Sequence, residues 1–192
     1  MTEEAWRLTM TNLYFVRHAK IQYTHDDHSR QLSEEGTQSV PLVTKVFDNI
    51  HIDAIVSSPY VRALKTIEGI ADNKNLEIHC FDDLRERKVA HTYIDDFQTF
   101  TMNQWNDFDF RLDGGESLRE VQNRGVKAIE RVIDTYEGQS VIVGTHGTFM
   151  AVQLNYFDPN IDFNFWRQLK MPDIYKATFD GYEMIKLENI HL

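Results

Sequence analysis

Three short apolar runs, each passing directly into polar residues, constrain the fold of this chain more than any other feature. Leu13–Val16, Ile52–Val56 and Val141–Val143 have the length and the β-favouring side chains of buried strands. Leu76–Cys80 is a weaker fourth candidate. Helical patterns lie between them, and strand alternating with helix predicts an α/β fold with a largely parallel sheet.

The helical segments carry their own punctuation. Ser58-Pro59 reads as an N-cap followed by proline at the first helical position, ahead of Val61, Leu64, Ile67 and Ala71. Ser117 with Glu120 forms a capping box at the head of a stripe running from Leu118 through Ala128, Ile129 and Val132 to Tyr136, which Gly138 stops. Ser33-Glu34-Glu35 opens another helix with acidic residues in its first turn, where Pro41 predicts a kink or a later start. Asp180-Gly181, between Tyr175–Phe179 and Tyr182–Leu187, reads as a hairpin turn.

At 192 residues the chain fits one domain with a full core, and residues 88–113 read as an insertion or lid within it. That segment is acidic and aromatic, with Tyr93, Phe97, Phe100, Trp105, Phe108 and Phe110 among Asp95, Asp96, Asp107 and Asp109. A small satellite core is expected there in preference to a substrate-binding lid. The nine residues before Met10 read as an extension the fold does not need.

A formal net charge of −10 opposes binding to nucleic-acid phosphates or anionic membranes, so positive charge for an anionic substrate must be concentrated locally. The single cysteine, Cys80, excludes an intramolecular disulfide and suits a reducing, cytoplasmic setting. Ending an apolar run, it is expected to be a small buried hydrophobe. No signal-like or membrane-spanning run is evident. His25-Asp26-Asp27-His28 is spaced poorly for a metal and is expected to be a solvated loop rimming the site.

In open α/β sheets ligands bind beyond the carboxyl ends of the strands. There the three runs present Arg17-His18, then Ser57-Ser58-Pro59 with Arg62 a turn into the next helix, then Gly144-Thr145-His146-Gly147-Thr148. Guanidinium groups grip phosphate oxygens in pairs and keep their charge. A neutral imidazole is a competent nucleophile towards phosphorus, and a second histidine stabilises an equatorial oxygen. Ser57 or Ser58 and the backbone near Gly147 and Thr148 add donors at helix starts. The leaving alkoxide needs a proton, and Asp82-Asp83-Leu84-Arg85-Glu86-Arg87 offers carboxylates for it. A carboxyl close to a phosphate dianion keeps its proton more readily, as a general acid requires.

Taken in order, Leu13–Ala19, Ser57-Ser58-Pro59 with Arg62-Ala63 and Thr66, Leu84 with Glu86, Gly114-Gly115-Glu116-Ser117 and Gly144–Gly147 resemble the histidine phosphatase superfamily, which includes the phosphoglycerate mutases. The resemblance spans nearly the whole chain. It implies a three-layer α/β/α sandwich, a phosphohistidine on His18, a phosphate pocket of Arg17, Arg62 and His146, Glu86 as proton donor, and no metal or other cofactor. Ala19 stands where the family usually has glycine. Thr24 stands where the mutases carry a phosphate-binding asparagine, with Gln22 nearby, so either is a candidate phosphate ligand.

The expected protein is therefore a phosphomonoesterase acting on a small phosphorylated substrate, as a monomer or homodimer. A mutase that depends on bisphosphoglycerate is the alternative; it must hold a second anionic group and exclude water, which an acidic lid and a short chain disfavour. An inactive phospho-ligand binder is weaker still, because His18, Glu86 and His146 are all present.

Overall fold

The structure is a computed structural model, and it describes residues 10–24, 26–90 and 94–192. The extension before Met10, His25, His91 and Tyr93 lie outside the described residues. Six strands form one sheet: β1 (Thr11–Arg17), β2 (Ala54–Ser57), β3 (Ile78–Cys80), β4 (Ser140–Thr145), β5 (Asp173–Asp180) and β6 (Glu183–Asn189). Their order across the sheet is β3-β2-β4-β1-β5-β6. The pairings β3/β2, β2/β4 and β4/β1 are parallel, and β5 and β6 add an antiparallel edge.

Side-chain alternation along the strands explains the layers. Leu13, Phe15, Val141 and Val143 point into a core shared with α4 (Leu118–Thr135) and α5 (Gly147–Phe157). Tyr14, Val16 and Ile142 point the other way, into a second core with Val43 and Phe47 around α1 (Glu34–Val46) and Ile67 and Ile70 of α2 (Val61–Lys74). The sheet is thus buried on both faces, the arrangement expected from strands that read as continuous apolar runs.

Several local expectations meet their outcome here. Ser117 accepts the N–H of Glu120 and the Glu120 carboxylate returns to the Ser117 N–H, the capping box in full. Ser33 caps α1 by accepting the Gly36 N–H, and the helix runs through Pro41, so the later start is not taken. The hairpin turns on Gly181 and Tyr182, with Gly181 at φ 54°, a backbone region open to glycine.

Two expectations are corrected. The helix after β2 begins at Val61 with Tyr60 as its cap, because Ser58 Oγ is drawn into the site and accepts the Tyr60 N–H across a short turn that also contains Pro59. Cys80 is exposed because β3 is a three-residue edge strand, although partial burial still raises the thiol pKa.

Residues 88–113 contain α3 (Phe97–Asn106), capped by Asp96 accepting the Thr99 N–H. Phe100 is buried against Phe110, and Trp105 and Phe108 pack on the main core. The remaining helix is α6 (Phe163–Gln168), just before β5.

Candidate active site

Strand register assembles the site. Arg17 pairs with Thr145 and Ser57 with Gly144, so the residues that follow, His18, His146 and Ser58, leave the sheet side by side at its carboxyl edge. The His18 N–H donates to Thr145 O at 3.1 Å and the Ser58 N–H to Gly144 O at 2.9 Å, extending the ladder one residue past each strand. Gly144 is required here, since a Cβ would lie 2.6 Å from Ser57 Oγ and 2.7 Å from Ile67 Cδ1.

His18 is 5% exposed and its ring stands edge-on to that of His146, centroids 5.3 Å apart. Its Nδ1 lies 2.8 Å from Ala19 O. A carbonyl only accepts, so Nδ1 carries the proton and Nε2 keeps its lone pair. Burial, followed by the positive charge of Arg62, pushes the His18 pKa down to about 3, so the ring is neutral across the physiological range. Ala19 adopts a negative φ, and its N–H is held by Thr66 Oγ1 at 3.0 Å; the glycine usual in the family is dispensable at this backbone position.

His146 is fully buried, and burial with the charge of Arg62 lowers its pKa as well. Its Nε2 lies 2.7 Å from Ser58 Oγ, and its Nδ1 has no protein partner among the described residues. The buried Nε atoms of Arg17 and Arg62 are likewise without protein partners. Buried polar atoms without partners cost free energy unless something satisfies them, and a tetrahedral oxyanion matches the two guanidinium Nε–H donors, joined by His146 Nδ1–H in the tautomer whose Nε2 accepts the Ser58 hydroxyl. Arg17 is fixed by Nη1 donating to Leu169 O (2.8 Å) and Lys170 O (3.0 Å). Its guanidinium lies against Gly147, where a Cβ would come within 2.8 Å of Cζ.

Glu86 sits at the start of α5. Its carboxylate accepts the N–H groups of Thr148 (3.0 Å) and Phe149 (2.9 Å), directly after His146, and also the N–H of Arg87. The Thr148 N–H is therefore given to Glu86, which replaces the expected role of that backbone group as a phosphate donor. The Thr148 hydroxyl accepts Trp166 Nε1–H at 3.1 Å. Gly147 is buried beneath Arg17 and Ser57 is a buried strand-end hydroxyl bonded to Ser58 O. Gln22 and Thr24 lie exposed on the loop after β1, and Thr24 Oγ1 is turned to Asp26 O at 3.3 Å. Neither joins the His18–His146 cluster. Of the other carboxylates weighed for the acid role, Asp82 pairs with Arg85 at 3.0 Å and is largely exposed.

Three further residues contribute whose roles are not legible from sequence. Asp27, in the loop expected to rim the site, closes on Arg62: its carbonyl accepts Nη1 at 2.5 Å and its carboxylate lies 3.2 Å from Nη2, while also pairing with Arg30 at 2.7 Å. Arg124 of α4 donates to Asp83 O, Arg85 O and Glu86 O and pairs with Glu116 at 2.8 Å, so it holds the Glu86 segment in place. Arg87 is buried, bonded to Gln104 and Thr101, with its guanidinium against the rings of Phe97 and Phe100. The contacts that matter, Asp27 with Arg62, Arg124 with the Glu86 segment and Arg87 with α3, join residues well apart in sequence.

A buried neutral histidine, flanked by arginines and a carboxylate at the carboxyl edge of a three-layer α/β/α sandwich, defines an enzyme built for phosphoryl transfer. The model of the histidine phosphatase superfamily (branch 1) matches residues 13–183, and the chain belongs to that family. It is 30% identical over 153 residues to phosphoserine phosphatase 1 of Hydrogenobacter thermophilus, covering 71% of each chain. Its fold is similar to that of a mycobacterial glucosyl-3-phosphoglycerate phosphatase, with TM-score 0.75 and 17% identity over 94% of this chain and 97% of that one. A phosphoglycerate mutase from Bacillus anthracis also superposes, with TM-score 0.75 and 15% identity over 96% and 94% of the two chains. Among the described residues no helix is long and apolar enough to cross a membrane.

Proposed function

We propose that this protein hydrolyses a small phosphomonoester through a phosphohistidine formed on His18. The observation that carries the reading is the state of His18: buried, neutral, with Nδ1–H given to Ala19 O and Nε2 free beside Arg17, Arg62 and His146. In the first step His18 Nε2 bonds to phosphorus as the ester P–O bond breaks, and the departing oxygen takes a proton from Glu86. In the second, Glu86 takes a proton from water, the hydroxide oxygen bonds to phosphorus, and the P–N bond breaks to free His18 and release phosphate. Arg17, Arg62 and His146 hold the oxygens that gain charge between these states. The curated relative named a phosphoserine phosphatase supports hydrolysis.

No metal or cofactor enters this scheme, and the enzyme acts in the cytoplasm as a monomer or homodimer. The mutase reading has one observation in its favour, a second arginine, Arg167, in the cavity that borders Arg17. Two measurements decide. Phosphate that is acid-labile and alkali-stable is expected on the wild type and absent from His18→Ala. Failure to release phosphate from any small ester, beside efficient interconversion of 3- and 2-phosphoglycerate, would replace the hydrolase with the mutase.

A further inference from the structure

A cavity of about 310 Å³ opens beside the phosphate-binding cluster, lined by Arg17, Phe97, Gln98, Trp166, Arg167 and Leu169. It shares Arg17 with that cluster and contains neither histidine nor Arg62. The cavity is thus continuous with the phosphate-binding cluster through Arg17, within reach of an ester whose phosphate Arg17 holds. The volume is at the small end of organic-ligand pockets.

Both aromatic walls are set in advance by the fold. Trp166 is anchored by its Nε1–H to Thr148 Oγ1, at the start of the helix that carries His146 as its cap, and Phe163 stacks on it with centroids 5.5 Å apart and planes at 21°. Phe97 opens α3, and its ring packs on Phe100 and on the buried guanidinium of Arg87. Phe97 is nonetheless 46% exposed, and it lines the cavity. Rings fixed before binding cost less to order when a ligand arrives. The third feature is charge. Arg167 is exposed and has no ion-pair partner among the described residues, although the protein carries a net charge of −10. One cavity thus holds two guanidinium groups: Arg17, tied to Leu169 O and Lys170 O, and Arg167, unpaired.

From these features, and resting on the hydrolase reading above, we infer that the cavity bordered by Phe97, Trp166 and Arg167 selects phosphomonoesters whose leaving group is a planar ring bearing a second anionic group. The ring lies against Phe97 and Trp166, and the anion pairs with Arg167. Arg17 keeps the phosphate.

Four esters with primary alkoxide leaving groups separate ring, charge and chemistry: benzyl phosphate, its 4-carboxy derivative, glycerol 1-phosphate and O-phosphoserine. With the purified full chain, kcat/KM is expected to be roughly tenfold or more higher for 4-carboxybenzyl phosphate than for glycerol 1-phosphate or O-phosphoserine. Arg167→Gln should bring the 4-carboxybenzyl to benzyl ratio close to one. Trp166→Ala and Phe97→Ala should each reduce the benzyl to glycerol ratio by roughly fivefold or more, and Trp166→Phe should restore most of it. Hydrolysis of all four esters at similar kcat/KM, or a carboxylate preference that survives Arg167→Gln, overturns the inference and leaves the hydrolase intact. Release from none of the four, with no phosphate trapped on His18, overturns the hydrolase and the inference together.

Discussion

His18 and His146 face each other edge-on, 5.3 Å between ring centroids, and burial holds both neutral. Their neutrality has a consequence for stability. The unfolded chain binds a proton on each histidine below its ordinary value of 6.5, whereas folded His18 resists protonation down to about pH 3. Between those limits the unfolded state holds more protons, so stability falls as pH falls, by up to about 1.4 kcal/mol per pH unit for each such histidine. Urea unfolding of the wild type is expected to show a lower midpoint at pH 5 than at pH 7. His18→Gln should flatten that dependence. An unchanged slope in the variant would show that His18 is not protected from protonation.

Arg62 and Asp27 form a second relationship that bears on affinity. The carbonyl and carboxylate of Asp27 occupy guanidinium hydrogens that a phosphate oxygen also needs. Arg62 is nearly inaccessible while the Asp27 side chain is 40% exposed, so the carboxylate is the partner free to swing away. Asp27→Asn removes a competing negative charge. Inhibition by inorganic phosphate is expected to tighten by about threefold or more at low salt, and less at high salt, where screening already weakens the pair. Weaker phosphate inhibition in the variant would mean that Asp27 instead orients Arg62 for catalysis.

The strands and the catalytic edge were legible because a buried parallel strand is a continuous apolar run, and this chain ends three of them on residues a core does not tolerate. The capping box and the hairpin turn were legible because their chemistry is local. What sequence did not disclose is tertiary. Ser58 looked like a helix cap because Ser-Pro usually is one; in the fold its hydroxyl meets His146, and the helix starts later. Cys80 looked buried because it ends an apolar run, but strand position is decided by sheet order, and β3 falls at the edge. In sequence Thr148 reads as a donor through its N–H, whereas in the fold its hydroxyl, in the first turn of α5, anchors Trp166 of α6.

Arg124 offers a test of positioning as distinct from chemistry. It contacts three carbonyls of the segment that carries Glu86, and Glu116 holds it there. The Glu116 pKa is lowered by the Arg124 hydrogen bond and charge despite burial. Arg124→Met keeps the bulk but leaves Glu116 with only Arg85 and the Lys88 N–H. A loss of about 3 kcal/mol is expected on chemical denaturation, in line with removing one partner of a buried pair. In the variant that still folds, kcat should fall about tenfold or more with KM little changed, because Glu86 acts in the reaction step and Arg17 and Arg62 still hold the phosphate. A rise in KM alone would place Arg124 in phosphate binding.

Gly147 tests how closely Arg17 must lie. The Arg17 guanidinium rests on the Gly147 backbone, and a Cβ there would meet Cζ and Nε at 2.8 Å and Nη2 at 2.9 Å. Gly147 is helical with a negative φ, so alanine is compatible with the backbone and favours the helix. The cost of Gly147→Ala therefore falls on the arginine, which must lift away from the two carbonyls, Leu169 O and Lys170 O, that fix it. The variant is expected to fold with stability within about 1 kcal/mol of wild type, the helix gain offsetting part of the strain. Its KM for any phosphoester should rise about tenfold or more, and inhibition by inorganic phosphate should weaken in parallel, because a displaced Arg17 no longer grips two oxygens. Unchanged phosphate inhibition in a folded Gly147→Ala protein would remove Arg17 from the phosphate site, and with it the link between that site and the neighbouring cavity.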